Sequence, residues 1–458
     1  MWTTALPSDR ARRAVLALAA VLAFTRAASA QDAHYWSIQY GPVGQLVGGQ
    51  LIGGVPDLSA TFYNPGALAL RNESSYLLST ESVQWELVST EAQPGLDIFD
   101  ASSSRFGAAP SLLAGVLPHW LGEDTRLAWS FLTRQKFDVR LGQRLTNPVP
   151  GDGVRSAAES YFDQRAEEDW AGLTISRPVS DTVGIGVTLY GVYRGQRSRK
   201  ELSLQAVSPD GSSIAVSGVG DFDYTHYRAL AKLGVAWQAE VWNAGLSVTT
   251  PSLGAFGGGK AAYTISAAGT DTNGDGRPDP PYLETATQED LDADYRSSWA
   301  VGVGASRAFG RTRFYASAEW YAAVDRFTVI ALPEATPAAS RLTQELRSVL
   351  NGGIGVERTL SDDISVYGAF HTDFSASTGS SESNVAISDW DLCHLSGGVS
   401  FQVRENRFTL GASWAKGGKR RPLDSPIPPE DVPNAGLGRD VQIDYSKFTF
   451  LLGFVFGS

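Results

Sequence analysis

The sequence predicts an all-β protein, a single fourteen-stranded antiparallel transmembrane β-barrel. Three observations predict it: an export leader, period-two alternation along nearly every segment after Ser74, and a regular exchange of short turns with long polar loops.

The leader comes first. Arg10, Arg12 and Arg13 precede an apolar run from Ala14 to Phe24, and Ala28-Ser29-Ala30 follows, the pattern of a signal peptide over residues 1–30 cut before Gln31. The run is too short to cross a bilayer as a helix, and no later stretch approaches the ~18 apolar residues that a helical span needs. The chain has a formal charge of −11 and the leader removes four Arg and one Asp, so the mature protein is more acidic still. An exported chain of that charge is unsuited to nucleic acid. Cys393 is the single cysteine, which excludes an internal disulfide and any Cys-cluster metal site. Nothing in the 458 residues reads as a domain linker, so one large closed unit is expected.

Fourteen strands are predicted, near 74–91, 104–120, 124–145, 158–178, 181–207, 217–238, 241–265, 290–309, 311–330, 342–360, 362–377, 387–404, 406–417 and 439–457. Alternate connections are very short and marked by Gly, Asp or Asn, at 121–124, 178–181, 239–240, 310, 361–362 and 405–406. The connections between them are long and polar, at 147–154, 207–217, 267–290, 332–341, 375–388 and 416–439. Short turns on one side of a membrane and long loops on the other are the signature of a transmembrane barrel, and a soluble sandwich has no cause to keep that order.

Each strand then has a face for lipid and a face for the lumen. In the sixth, Tyr227, Ala229, Ala231, Leu233, Val235 and Trp237 oppose His226, Arg228, Lys232 and Gln238. In the ninth, Phe314, Ala316, Ala318, Trp320, Ala322 and Val324 oppose Arg313, Tyr315, Glu319 and Asp325, and in the last Phe448, Phe450, Leu452, Phe454 and Phe456 oppose Lys447, Thr449 and Gly453. Charged faces must look inward, because hydrocarbon cannot satisfy them. Trp120, Trp237 and Trp242 stand beside short turns, where an interfacial girdle places aromatic rings.

Ahead of the strands lies a segment of another kind. Gly41 to Gly54 holds six glycines in fourteen residues, and Asn64-Pro65-Gly66 then forms a compact break between apolar runs. Such a segment cannot bury a core alone and must fold inside something else. With its glycines and this Asn-Pro-Gly turn, the chain resembles the FadL/TodX-type outer-membrane channels for hydrophobic compounds, whose Gly-rich N-terminal hatch ends in Asn-Pro-Ala. Gly66 stands where that family has Ala.

The resemblance implies a hatch over residues 31–73, with Asn64, Pro65 and Gly66 as its turn, inside a barrel of residues 74–458. It implies an outer-membrane channel for passive uptake of hydrophobic molecules, long-chain fatty acids or aromatic hydrocarbons, working as a monomer without a required cofactor. In that family the solute binds near the extracellular loops, moves inward as the hatch shifts and leaves sideways near the third strand. The surroundings would be outer-membrane lipid and lipopolysaccharide, and the aromatic last strand would be read by the outer-membrane assembly machinery.

From the residues themselves, Arg228, Lys232 and Arg313 on the lumen face can attract a carboxylate head group, or else pair with Glu319, Asp325 and Glu357. In the loop after the seventh strand Asp271, Asn273, Asp275 and Asp279 place oxygens at positions 1, 3, 5 and 9 with Gly276 at position 6. That spacing, with the Arg277 carbonyl, can wrap Ca²⁺, and the competing reading is an Asp-Gly turn. His371 and Asp373 share a strand face and form the sole pair that invites a hydrolase reading, but no nucleophile is placed beside them. The remaining alternative is a structural or adhesin-like barrel that acts through its long loops. Replacing Asn64 and Pro65 by Ala is expected to reduce uptake while the barrel still assembles; normal uptake would remove the hatch-turn role.

Overall fold

The computed structural model describes residues 33–70, 76–92, 101–118, 121–122, 124–146, 153–271, 277–331, 341–378, 390–422 and 440–456. The leader lies outside them.

Among the described residues the wall is a closed antiparallel barrel of fourteen strands. Its first six are β1 (Tyr76–Ala92), β2 (Ala101–Leu117), β3 (Arg126–Thr146), β4 (Arg155–Ser180), β5 (Val183–Val207) and β6 (Ser213–Gln238). The last four are β15 (Ile364–Asp373), β16 (Leu392–Val403), β17 (Asn406–Pro422) and β18 (Asp440–Phe456), and β18 closes the wall by pairing with β1.

The four middle strands differ from expectation, for each is broken in two. They run as β7 (Trp242–Thr249) with β8 (Leu253–Ala268), β9 (Tyr282–Asp292) with β10 (Ala300–Phe309), β11 (Thr312–Tyr321) with β12 (Val324–Ala331), and β13 (Arg341–Leu346) with β14 (Val349–Ser361). The lower halves β7, β10, β11 and β14 complete the wall. The upper halves leave it: β8 and β9 extend the sheet of β6, while β12 and β13 form a separate hairpin. A bridge from Ile330 to Ala293 lays this hairpin against β9, and Phe327, Val329, Ile330 and Leu342 pack on Tyr224, Tyr263 and Leu291. The hairpin therefore roofs the lumen. The long loop expected at 207–217 is also shorter, because β5 and β6 are joined by a tight turn over 208–212.

The faces fall as the alternation requires. On β6, Tyr227, Leu233, Val235 and Trp237 are exposed outward while His226, Arg228 and Lys232 are buried inward. From Tyr227 to Trp237, at ~3.4 Å per residue and a tilt of about 40°, the apolar band is about 25 Å tall, the height of a bilayer-spanning barrel wall. Asp325 is the exception to the predicted lumen set, since the break ahead of β12 carries it out of the wall and leaves it exposed.

Residues 33–70 fill the barrel. They form a short helix α1 (Pro42–Leu46), a single turn α2 (Ala60–Tyr63) and a 3-10 turn over Pro65–Leu70. Pro42 opens α1 at a position where its missing N–H costs nothing, and Gly41 before it has φ of 77°, which favours glycine. Nearly every side chain of this segment is buried, and Tyr40, Leu46, Leu51 and Phe62 share one core with Leu77, Leu112, Trp170 and Tyr190 of the wall.

The abundance of glycine has its explanation at this contact. A Cβ on Gly234 would stand 2.2 Å from Asn64 Oδ1, one on Gly184 2.2 Å from the Gly66 carbonyl, and one on Gly245 2.0 Å from the Ile52 carbonyl. Elsewhere around the wall Gly304, Gly411 and Gly453 receive Gly53, Leu46 and Pro42 in the same way. At Gly184, Gly245 and Gly304 the hatch lies backbone to backbone against its barrel, at Gly234, Gly411 and Gly453 it seats a side chain on bare strand backbone, and a Cβ on that ring would collide with it. Gly66 belongs to the same fit, because its own Cβ would meet the Gly184 carbonyl at 2.6 Å and the Gly234 carbonyl at 2.7 Å. Gly66→Ala is expected to lose roughly 1–3 kcal/mol, the usual cost of overpacking between rigid atoms. Thermal unfolding in detergent, followed as loss of heat-modifiable mobility, measures it; an unchanged midpoint would contradict the close fit.

Candidate functional site

The hatch turn is tied to the wall through one amide. Asn64 Nδ2 donates to the carbonyls of Ile52 and Val235, both at 2.9 Å, and its Oδ1 accepts the Gly66 N–H at 3.2 Å. One side chain thus bonds the hatch to itself and to β6.

The start of the hatch is held from the opposite wall. Asp373 on β15 is fully buried and accepts from the backbone N–H groups of Tyr35 at 3.0 Å and Trp36 at 2.8 Å, and from Ser37 Oγ at 2.6 Å. His371 stacks on His394 with ring centroids 4.3 Å apart. The pair singled out for a hydrolase is therefore an anchor for the hatch, with the carboxylate spent on its backbone.

The wall itself is interrupted beside β3. β3 pairs with β4 along nearly its whole length, but its ladder with β2 covers only Leu112 to Leu117 and ends at Leu132. Directly above, the register with β4 shifts between Thr133 and Gln135, and Pro110 stands on β2 beyond the last rung, at the kind of edge position proline tolerates. The carbonyl of Thr133 is met by the Tyr40 hydroxyl of the hatch at 3.2 Å, and Gln45 Nε2 donates to Ser111 Oγ at 3.0 Å. The Tyr40 phenol, protonated at neutral pH as any tyrosine is, stands there as the donor. The hatch supplies bonds that the neighbouring strand does not.

Between hatch and roof lies a cavity of about 50 Å³ with aromatic and charged walls. The Arg134 guanidinium, from the bulge of β3, sits 5.6–5.9 Å from the rings of Tyr35, Phe62 and Trp170. Arg194 and Arg228 flank the Tyr295 ring at 4.0 and 4.4 Å, and both pair with Glu168. Lys232 lies 3.3 Å from Glu319 and 4.4 Å from the Phe62 ring. Glu319 also accepts the Trp36 indole N–H at 3.0 Å. Four buried cations thus surround two buried carboxylates, and Arg228 Nε and Nη1 make no hydrogen bond among the described residues. Such an excess of charge in a dry chamber favours an anion.

Of the predicted lumen residues, Arg228 and Lys232 line this cavity, and Lys232 pairs with Glu319 as one of the two readings had it. Arg313 stands apart, below the hatch and bonded to Ser306 at 3.3 Å, while Glu357 accepts from Tyr315 and Tyr367. Sequence reasoning missed Glu168, Arg134 and Arg194. Glu168 shares a face with Ala166 and Trp170, so the alternation of β4 would have found it, and Arg134 keeps the inward phase of Ser130 and Leu132; what the bulge adds is to turn Gln135 inward beside it. In the Asp-rich loop, Asn273 and Asp275 lie outside the described residues. Asp271, Arg277 and Asp279 flank them, and the Asp279 N–H donates to the Thr270 carbonyl at 2.5 Å, closing the base of the loop. Trp120 is outside as well, whereas Trp237 and Trp242 are exposed beside their turn.

Compared with known proteins, the chain matches no family model and no curated sequence. Solved structures do match. A FadL homologue of Pseudomonas aeruginosa superposes with a TM-score of 0.63 at 14% identity, covering 93% of this chain and 100% of its own. The chain shares its fold. The toluene transporters TbuX of Ralstonia pickettii and TodX of Pseudomonas putida both superpose with TM-scores of 0.53, at 15% and 12% identity, covering 92% and 94% of this chain and 98% of each of theirs. Closed wall, strand number and plugged lumen are common to this chain and to that fold.

The anchor of the hatch can be tested directly. Asp373→Ala removes the three hydrogen bonds from Tyr35, Trp36 and Ser37 to its carboxylate, each worth roughly 1.5–3 kcal/mol. Limited proteolysis of the detergent-purified protein is expected to cut within residues 35–37 at least about tenfold faster than in the parent, with the barrel intact; equal rates would show that the anchor is dispensable.

Proposed function

We propose that the protein is an outer-membrane diffusion channel for hydrophobic molecules that carry an anionic head, with long-chain carboxylic acids first among them. The observation that carries this reading is the chamber above the hatch, where aromatic rings lie beside more buried positive than negative charge. The cavity as it stands has room for the head group, to which Arg228 offers unpaired donors, and the rings would receive the apolar part as the hatch shifts. A purely hydrocarbon solute would leave those donors unmet, which disfavours toluene-like cargo here even though two structural neighbours are toluene transporters.

The route below the chamber follows from the fold. Straight passage is blocked, since the hatch fills the lumen and Trp36, Glu319 and Lys232 tie it across the barrel. At the interrupted ladder between β2 and β3 the hatch, through Tyr40, meets a strand carbonyl beside the last rung of the ladder. Movement of the hatch would open that seam sideways, so a hydrophobic solute need never enter water. No energy source is required, because partition into lipid drives the exit.

Proteoliposomes test this. Uptake of a labelled long-chain fatty acid should fall about tenfold or more in Arg228→Met and Lys232→Met, the worth of one charge-assisted contact, while uptake of the matching long-chain alcohol changes little. Equal loss for acid and alcohol would overturn the anion reading. No uptake of either by the parent protein would overturn the channel, and would turn attention to the tall β3–β6 sheet as a display surface.

A further inference from the structure

The lipid-facing wall opposite the hatch turn carries a groove of about 530 Å³ across β4, β5, β6 and β7. Register shows how it arises. Ile175, Val187, Leu233 and Val248 form one cross-strand row on the outer face, and the next row toward the short turns begins with Arg177 and Ile185. Larger side chains stand on either side of these rows, Leu173 and Leu189 above and Trp237 below, all strongly exposed. The floor is backbone at Gly186 and Gly234, whose inner sides receive Pro65 and Asn64. The groove is thus a depression where the wall is thinnest, with the hatch turn pressed against its other side.

Its chemistry has a direction. The walls are aliphatic, and the polar side chains gather at one end, at Arg177 and Thr125. That end lies on the side of the short β4–β5 turn, level with the Trp237 and Trp242 girdle at the inner interface. Among the described residues Arg177 has no carboxylate partner. An unpaired guanidinium at the interface with an apolar trough leading from it toward mid-membrane is complementary to a phosphate followed by an acyl chain. A neutral solute would leave Arg177 unused, and a second barrel would set like charges together at this rim.

We propose that this groove holds one glycerophospholipid of the inner leaflet, its phosphate on Arg177 and one acyl chain along the Ile185–Val187 trough. The bound lipid backs the wall where Gly186 and Gly234 give it no side chain on the lumen side. This reading concerns the outer face and stands independently of the solute proposed for the lumen.

The protein is reconstituted into nanodiscs of phosphatidylethanolamine and phosphatidylglycerol, re-extracted in mild detergent and weighed by native mass spectrometry. Three variants are compared with the parent: Val235→Trp, which fills the groove; Arg177→Gln, which removes its charge; and Ile354→Trp, a comparable change on the exposed outer face of β14, away from the groove. The parent and Ile354→Trp should keep one phospholipid. Arg177→Gln should keep it about tenfold less, the loss of one charge-assisted contact, and Val235→Trp should not keep it. Equal retention in all four proteins, a dimer mass, or a retained species without phosphate would overturn the proposal. Heat-modifiable mobility confirms that each variant is folded, and Arg177→Gln, an exposed change, decides the matter should the tryptophan disturb assembly.

Discussion

The structure depends on how closely the hatch backbone approaches the wall. Carbonyls of Ile52 and Gly66 and the side chain of Asn64 occupy space that any Cβ on Gly245, Gly184 or Gly234 would claim. At Gly184 and Gly245 packing of this kind is close to all-or-none, because a rigid backbone on both sides cannot yield by rotating a side chain. The glycines therefore do more than loosen the strands they sit in. They set the depth at which the plug rests, and that depth puts Tyr40 against Thr133 and the α2 turn beneath the charged chamber.

Charge and geometry in the chamber are linked to this seating. Phe62 comes from the hatch, yet Arg134 and Lys232 of the wall lie over its ring, and Trp36 of the hatch donates to Glu319. A solute that engages Lys232 or Arg134 touches groups that also hold the plug. Binding and hatch position thus share the same atoms, and a differential interaction of the solute with the seated and displaced hatch is what would couple them.

Much of this was legible in the sequence, for physical reasons that can be named. The strand number and the inward faces of β6 and β11 follow from period-two alternation, since a one-residue slip would put Arg228 or Glu319 in lipid. The plug was legible as a Gly-rich segment unable to make its own core. What alternation cannot show is where a strand stops being wall. Residues 293–299 keep a strand-like pattern but turn inward to lay Tyr295 between Arg194 and Arg228, a choice made by tertiary contacts. The bulge at Arg134 is likewise a matter of register between strands far apart in sequence, and single-chain periodicity has no access to it. Asp373, two residues from a histidine and with no nucleophile beside it, reads from sequence as a lumen polar residue, and its role as an anchor is hidden because the hatch groups it holds lie more than three hundred residues away.

The ladder that ends at Leu132 has one more consequence. Closure removes sheet edges only where neighbours pair, and among the described residues β3 has no strand partner on its β2 side above that rung. An exposed edge invites pairing with another chain in a crowded membrane. Here the outward positions carry Asp138, Arg140 and Arg144, matched on β4 by Arg165 at 3.0 Å, Asp163 at 3.1 Å and Glu159 at 3.9 Å. A foreign strand would have to dehydrate that row of ion pairs to add itself, and its own charges would meet both signs in alternation. The interrupted seam between β2 and β3 is thus guarded, a few residues higher, against being closed by a neighbour.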